Sequence, residues 1–393
     1  MKVAIVTRFP KNPDAPRGGV ESVSVNLTRA LAALPDLHID VVTTDRDIQT
    51  AIQSQWEGIT VHRLPTKGVT TLTEAIWSGR KIVSDYLMSL SPDLVHAHDT
   101  YGLMVKGLPL PRVFTVHGFI YGDTVVAAER FSRLRAWLWK YVETSGWADQ
   151  PHIISISPYV RERLGGIAKG VIHDIDNPIP DHFYHIKRKE KKGVIFSAAS
   201  IMPRKNPMAL VEAFIRLNAA GVDAELRLAG PVLHASYARA VEERIRQSRL
   251  EHKIILMGKL STADIAEQLA QASVFALVSL EENSPMAIEE AMAVGIPVVT
   301  SNRCGMPYMV RHGETGFLVD PHDPSDIATR LEELLRNDDL RHRMAVNGQV
   351  IARDRFHADV VARRTVAVYR EALRCKNHEV VNNARVAHAG ERF

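Results

Sequence analysis

The residues best placed to do chemistry are the acids in SLEENSPMAIEEAMAVGIPVVTSN, residues 279–302. SVFALVS reads as a strand, LEEN as a loop, and Ser284-Pro285 as a helix cap followed by a proline at the first helical position. The helix MAIEEAMAV then stops at Gly295. Glu281 and Glu282 therefore stand in the loop, and Glu289 and Glu290 stand in the second turn of a helix that otherwise reads as buried and apolar. A helix start offers free N–H groups and partial positive charge, so it suits an anion. Carboxylates beside it suit a polyhydroxyl ligand. Surface acids near a helix start are the plainer alternative.

A second stretch, FSAASIMPRKNPMALVEAF (196–214), repeats the arrangement with the opposite charge. Asn206-Pro207 is expected to start a helix, with Arg204 and Lys205 immediately before it. A planar guanidinium, a point charge and a helix N-terminus together can clamp a diphosphate. In RFPKNPDAPRGGVESVSVNL (8–27), Gly18-Gly19 opens a helix and permits close backbone approach to a ligand. Neither GxGxxG nor GxxxxGK[ST] occurs anywhere in the chain. That disfavours a nicotinamide-dependent oxidoreductase. His96 and His98 share a strand face, and His117 ends the next strand in FTVHG. With no third ligand evident, no metal site is assigned to them. His117 is a candidate for substrate contact, with a buried structural histidine as its rival.

These residues sit in a chain built to position them at strand ends. At 393 residues, two domains are expected. Short apolar strands at 2–9, 39–45, 59–64, 93–99, 112–118 and 152–157 alternate with helical patterns at 20–34, 72–90 and 127–147. The second half repeats the habit, with strands at 193–200, 224–230, 253–258, 273–279 and 296–302. Near-continuous apolar strands between helices mean parallel sheets covered on both faces, hence two doubly wound α/β domains. DNPIPDHFYHIKRKEKKG (176–193) reads as the linker, and its KRKEKK as solvated surface. The boundaries are then 1–185 and 193–353, with a last helix at 354–375 and an unstructured polar tail at 376–393.

Two cysteines, Cys304 and Cys375, exclude a disulfide framework and zinc-finger spacing. No run reaches membrane-spanning length, and the opening MKVAIVTRFP reads as a strand, so a cytoplasmic protein is expected. A net charge of +4 is too mild for a nucleic-acid partner. RFSRLRAWLWKYV (130–142) mixes cations and aromatics at helical spacing. It could lie on an anionic bilayer at the inner membrane face or pack on the sheet with a basic outer side.

The motifs together resemble the retaining, nucleotide-sugar-dependent glycosyltransferases of family 4 (group 1). The resemblance runs from KVAIVTRFP and RGGVE to VRHGETGFLVDPHDPSDIATRLEELL (310–335), and is most specific at ENSPMAIEEAMAVGIPVV. It places the family's two glutamates at Glu282 and Glu290, a choice that helix geometry alone leaves open. It implies a GT-B fold, two Rossmann-like domains facing a cleft, with the last helix crossing back to the first. By the same resemblance Glu290 holds ribose hydroxyls, and Glu282 binds the donor sugar or supports the reacting face. The backbone of Asn283, Ser284, Pro285 and Met286 meets sugar hydroxyls and phosphate. Arg204 and Lys205 neutralise the diphosphate leaving group, Gly19 faces it from the first domain, and His117 touches the donor sugar. The sequence departs from the family in having Asn283-Ser284-Pro285 after the first glutamate and Asn206 after the lysine.

The implied activity is transfer of a hexosyl group from a nucleotide-diphosphate sugar to a glycan, lipid-linked or small-molecule acceptor in polysaccharide or glycoconjugate biosynthesis. No metal or other cofactor is expected, because cations and N–H groups stand ready at the leaving group. A sugar-nucleotide epimerase and a catalytically silent partner subunit on the same fold are the alternatives.

Overall fold

The computed structural model of the chain describes residues 1–67, 73–119 and 132–390, apart from the side chains of 132–136 and 376–390. Two compact units emerge: Met1–Asp176 joined by the chain from Asp359 onward, and Asn177–Ala358.

The sheet of the first unit comprises β1 (Lys2–Val6), β2 (His38–Asp45), β3 (Ile52–Trp56), β4 (Ile59–Pro65), β5 (Leu94–His98), β6 (Arg112–Val116), β7 (His152–Ser155) and β8 (Val171–Asp174). Its spatial order is β3-β4-β2-β1-β5-β6-β7-β8, parallel throughout except for the β3–β4 hairpin. Helices α1 (Gly19–Ala32), α2 (Gly79–Leu90), α3 (Tyr101–Met104), α4 (Ser132–Ala148) and α5 (Pro158–Leu164) connect the strands. Val3, Ala4, Ile5 and Val6 of β1 are fully buried, as a central strand covered on both faces requires.

The second unit is the simpler of the two. Its strands are β9 (Val194–Ala198), β10 (Glu225–Ala229), β11 (Ile254–Gly258), β12 (Val274–Leu277), β13 (Val298–Ser301) and β14 (Gly316–Val319). They lie in the order β11-β10-β9-β12-β13-β14, all parallel, which is the Rossmann order with its reversal between β9 and β12. Helices α6 (Pro207–Ala219), α7 (Ala235–Ser248), α8 (Thr262–Gln271), α9 (Met286–Val294), α10 (Pro324–Arg336) and α11 (Asp338–Arg355) follow. Local chemistry sets their ends. Ser261 and Asp264 form a reciprocal capping box on α8, and Gly295 stops α9 in the left-handed region at φ +79°.

Several expectations need correction. Residues 176–193 are not a free linker. Ile179 bridges His357, the Tyr184 hydroxyl donates to Ala352 O at 2.9 Å, and Arg188 donates to Leu269 O and Ala272 O. The division between units therefore falls at Asp176/Asn177 instead of within 186–192. The second boundary lies at Ala358/Asp359. The tail is helical as far as Gly390, since the last helix, α12, runs Ala358–Gly390. Strands β3, β8 and β14 are additional to those expected. β3 (IQSQW) is polar and almost wholly exposed, and Glu57-Gly58, both at positive φ, make its two-residue turn to β4. Among the described residues no helix is long and apolar enough to cross a membrane.

From Asp359 on, α12 belongs to the first unit. Its Tyr369 is fully buried, and the hydroxyl is hydrogen-bonded to His96 Nδ1 at 2.7 Å. The other nitrogen of His96 is bonded to Thr115 Oγ1 at 2.7 Å. Both ring nitrogens are thus engaged, so His96 is a structural histidine. Tyr369→Phe would leave a buried nitrogen unpaired and is expected to cost about 1–3 kcal/mol. Denaturant unfolding of the wild type and the variant measures this directly.

Candidate functional site

In a parallel sheet every strand ends at the same edge, and the site lies where the strand order reverses. In the second unit that point lies between β9 and β12, and it gathers the acid and cations singled out from the sequence. The loop after β9 carries Arg204 and Lys205, and the loop after β12 carries Glu282. One carboxylate oxygen of Glu282 pairs with Lys205 Nζ and, at 3.2 Å, with Arg204 Nη1. All three side chains are largely buried. Burial raises the Glu282 carboxyl, but Lys205 and then Arg204 outweigh it, so the group is held below its usual 4.5.

The backbones fix this geometry. Leu280 N donates to Arg204 O at 2.8 Å, and Arg204 Nη1 donates to Glu281 O at 2.8 Å. Asn206 stands at φ +55°, where glycine or asparagine is the favoured residue. Its side-chain amide donates to Val278 O and Pro321 O, tying three loops together. Asn206 therefore meets the backbone demand a glycine would meet, and adds two hydrogen bonds. On the other side of the loop, Gly305 N donates to Glu282 O at 2.8 Å. A Cβ on Gly305 would lie 1.7 Å from Asn283 O, so only glycine fits there. Sequence reading missed Gly305 because its need arises from close approach, not from a turn.

The start of α9 differs from expectation by one residue. Pro285, not Ser284, is the cap residue, and Met286 is the first helical position. The Ser284 hydroxyl instead donates to Glu289 at 2.7 Å, and Ser284 O accepts from Asn177 Nδ2 at 3.1 Å. Glu289 is fully buried within this structural contact. Glu290, on the same turn, is half-buried and makes no hydrogen bond or ion pair among the described residues. Burial pushes its carboxyl up to about 8. The two adjacent acids are thus sorted into one that packs and one left available to a ligand.

In the first unit the order reverses between β1 and β5. Gly18 and Gly19 follow β1 at the start of α1, and an added Cβ at either would meet nothing within 4 Å. Gly18 is extended, with φ 178°. Neither packing nor backbone conformation explains this pair.

At the carboxyl ends of β5 and β6, His117 Nε2 is hydrogen-bonded to His98 Nδ1 at 2.8 Å, with the two rings stacked. The His117 amide donates to Asp99 Oδ1 at 3.1 Å, and Asp99 sits at φ +47°. Burial raises the Asp99 carboxyl, opposed by His117. His98 is held far below its usual range by burial and by its two histidine neighbours, so it is a neutral imidazole. Both rival readings of His117 have support: it is buried and hydrogen-bonded, and it stands at the ligand edge. Asp99 carried no recognisable sequence signal beyond its place after DLVHAH.

Of the segment 130–142, residues 130–131 and the side chains of 132–136 lie outside the described residues. Within α4, Trp139 is buried, whereas Trp137, Leu138 and Tyr141 are exposed.

Two family models match the chain: "Glycosyl transferases group 1" over residues 179–350 and "Glycosyltransferase Family 4" over 17–182. They meet beside the division between the compact units. An uncharacterized glycosyltransferase of Methanocaldococcus jannaschii is 22% identical over 340 residues, covering 84% of this chain and 89% of that protein. Other curated relatives are matched over only 42% and 48% of their own length. Sucrose-phosphate synthase from Thermosynechococcus elongatus aligns with TM-score 0.80 at 19% identity, over 95% of this chain and 99% of that one. HepE of Anabaena, solved with UDP and glucose, aligns with TM-score 0.69 at 17% identity, over 94% and 99%. At these identities the structural likeness shows the fold.

The two site glutamates should give opposite pH signatures. Glu290, raised to about 8, contributes stability that is complete below its usual 4.5 and disappears as pH rises through about 8. Glu282, depressed, contributes stability present above 4.5 and lost as pH falls through its lowered value. Glu290→Gln is expected to flatten the decline in stability across the first window. Glu282→Gln should weaken the protein at neutral pH. Denaturant unfolding across pH, compared with wild type, checks both.

Proposed function

Because this chain is a glycosyltransferase of family 4, with the GT-B fold, we propose that it moves a hexosyl group from a nucleotide-diphosphate sugar to an acceptor hydroxyl with retained anomeric configuration. The observation that carries this reading is the cluster of Arg204, Lys205 and Glu282 beside the start of α9. Cleaving a sugar–phosphate bond builds negative charge on the departing diphosphate. Arg204, Lys205 and the first N–H groups of α9 supply the opposing charge in fixed positions, without a metal. Glu290 accepts ribose hydroxyls, for which its unpartnered carboxyl is suited. The backbone from Asn283 to Met286 receives sugar hydroxyls and phosphate. Gly19, whose lack of a side chain nothing in the fold requires, lets the diphosphate approach from the first unit, and His117 contacts the donor sugar.

Retention by front-face attack is supported by the state of Glu282 as well as by the family. A covalent mechanism needs an unencumbered carboxylate as nucleophile. The Glu282 carboxylate is instead held by two cations, which suits it to positioning and not to attack. The acceptor belongs to glycan or glycolipid biosynthesis, and the exposed Trp137, Leu138 and Tyr141 favour one presented at the cytoplasmic membrane face. UDP is the first donor nucleotide to test, since Anabaena HepE was solved with it.

Calorimetric titration with UDP, GDP and ADP, with and without magnesium, should show one preferred nucleotide bound equally well in both conditions. Binding that requires magnesium would remove the leaving-group role from Arg204 and Lys205. Lys205→Ala should lower turnover by about 10²-fold, as loss of ~3 kcal/mol of charge stabilisation gives. Unchanged turnover would sink that assignment. Glu290→Ala should weaken nucleotide binding, and NMR of the product should show retained anomeric configuration.

A further inference from the structure

Three side chains in the first unit, none used by the reaction above, converge at the β7–β8 edge of the sheet, strands away from Asp99 and His98. His152 is the first residue of β7, and His173 is the third of β8, the edge strand. The strands pair in parallel with His152 opposite Val171 and Ile154 opposite His173. Alternation along each strand therefore puts both imidazoles on one face, as diagonal neighbours. His96 lies in the same register row as His152, through Val113, and it is the residue that meets Tyr369 of α12. The face is thus the one α12 covers, and α12 contributes Glu371 to it.

His152 Nδ1 lies 3.2 Å from His173 Nε2, and one ring nitrogen of each histidine and a Glu371 carboxylate oxygen all lie within 4.8 Å of one another. The edge between two ligands of a tetrahedral zinc with arms of about 2.0–2.1 Å is roughly 3.4 Å, close to the spacing of the two nitrogens. Two imidazole nitrogens and one carboxylate form a donor set that borderline metals favour, with a fourth position left for water. A bare histidine–histidine hydrogen bond would account for the pair, but it gives no role to the carboxylate brought in from a helix so distant in sequence.

We propose that His152, His173 and Glu371 form a binding site for a divalent transition metal of the zinc class, which fastens the C-terminal helix to the edge of the first sheet. The site is structural: it lies away from the donor-binding residues and supplies no step of transfer.

The test is a zinc titration of the full-length protein against a chromophoric chelator, with His173→Ala and Glu371→Gln alongside the wild type. Glu371 is exposed, so Glu371→Gln should fold normally, and circular dichroism verifies this for both variants. Wild type is expected to take up one tight equivalent of zinc, and each variant should hold that equivalent at least about 10-fold more weakly. Zinc should also raise the melting temperature of the wild type more than that of Glu371→Gln. Wild-type affinity in a folded Glu371→Gln, or no zinc uptake by the wild type, overturns the site.

Discussion

A carboxylate buried as an anion needs cations or hydrogen-bond donors buried with it. Glu282 imposes that condition on the second unit. Its cationic partners come from a neighbouring strand end, since the neighbour of β12 at the reversal point is β9. Arg204 and Lys205 are consequently fixed in place by electrostatic necessity as well as by their backbones. Asn206 in its left-handed conformation, Gly305 pressed against Asn283, and the hydrogen bonds between the two loops all serve to hold those charges at contact. A pair of cations that would otherwise repel each other is thereby kept together where an anion can meet both.

The two units place their chemistry at the same topological position but differ in electrical character. In the second unit the strand ends are ionic, with one acid neutralising part of a double positive charge. In the first, the end of β5 presents the His98 imidazole, which burial keeps uncharged, hydrogen-bonded to His117 and backed by Asp99. A charged edge fits phosphate, and a neutral hydrogen-bonding edge fits hydroxyls.

What could be read from the sequence followed from how local each cause was. The buried parallel strands announced themselves by apolar runs, and Gly295 and Pro207 marked helix limits through their own backbone preferences. Arg204, Lys205 and the pair Glu281–Glu282 were legible because strand–loop–helix order sends them to the ligand edge, and taking Glu282 from that pair needed the family resemblance. The rest depended on distant partners. The pairing of Tyr369 with His96, the close approach at Gly305 and the stitching of residues 176–193 onto α11 and α8 leave no local trace. Polar edge strands such as β3 lack the apolar alternation that reveals a strand. Choosing Glu290 over Glu289 needed the family resemblance; the contact of Ser284 with Glu289 leaves no local trace either.

The first unit is built from two stretches of chain separated by the whole of the second. His96 acquires its partner Tyr369 273 residues later. During synthesis from the N-terminus, the first sheet therefore waits with His96 lacking its Tyr369 partner, while Asn177–Ala358, a continuous segment, can complete its own core. The unit that starts the chain is the last to be finished. A ribosome that stops short of α12 releases a protein whose second unit has all its residues and whose first lacks the helix that closes it.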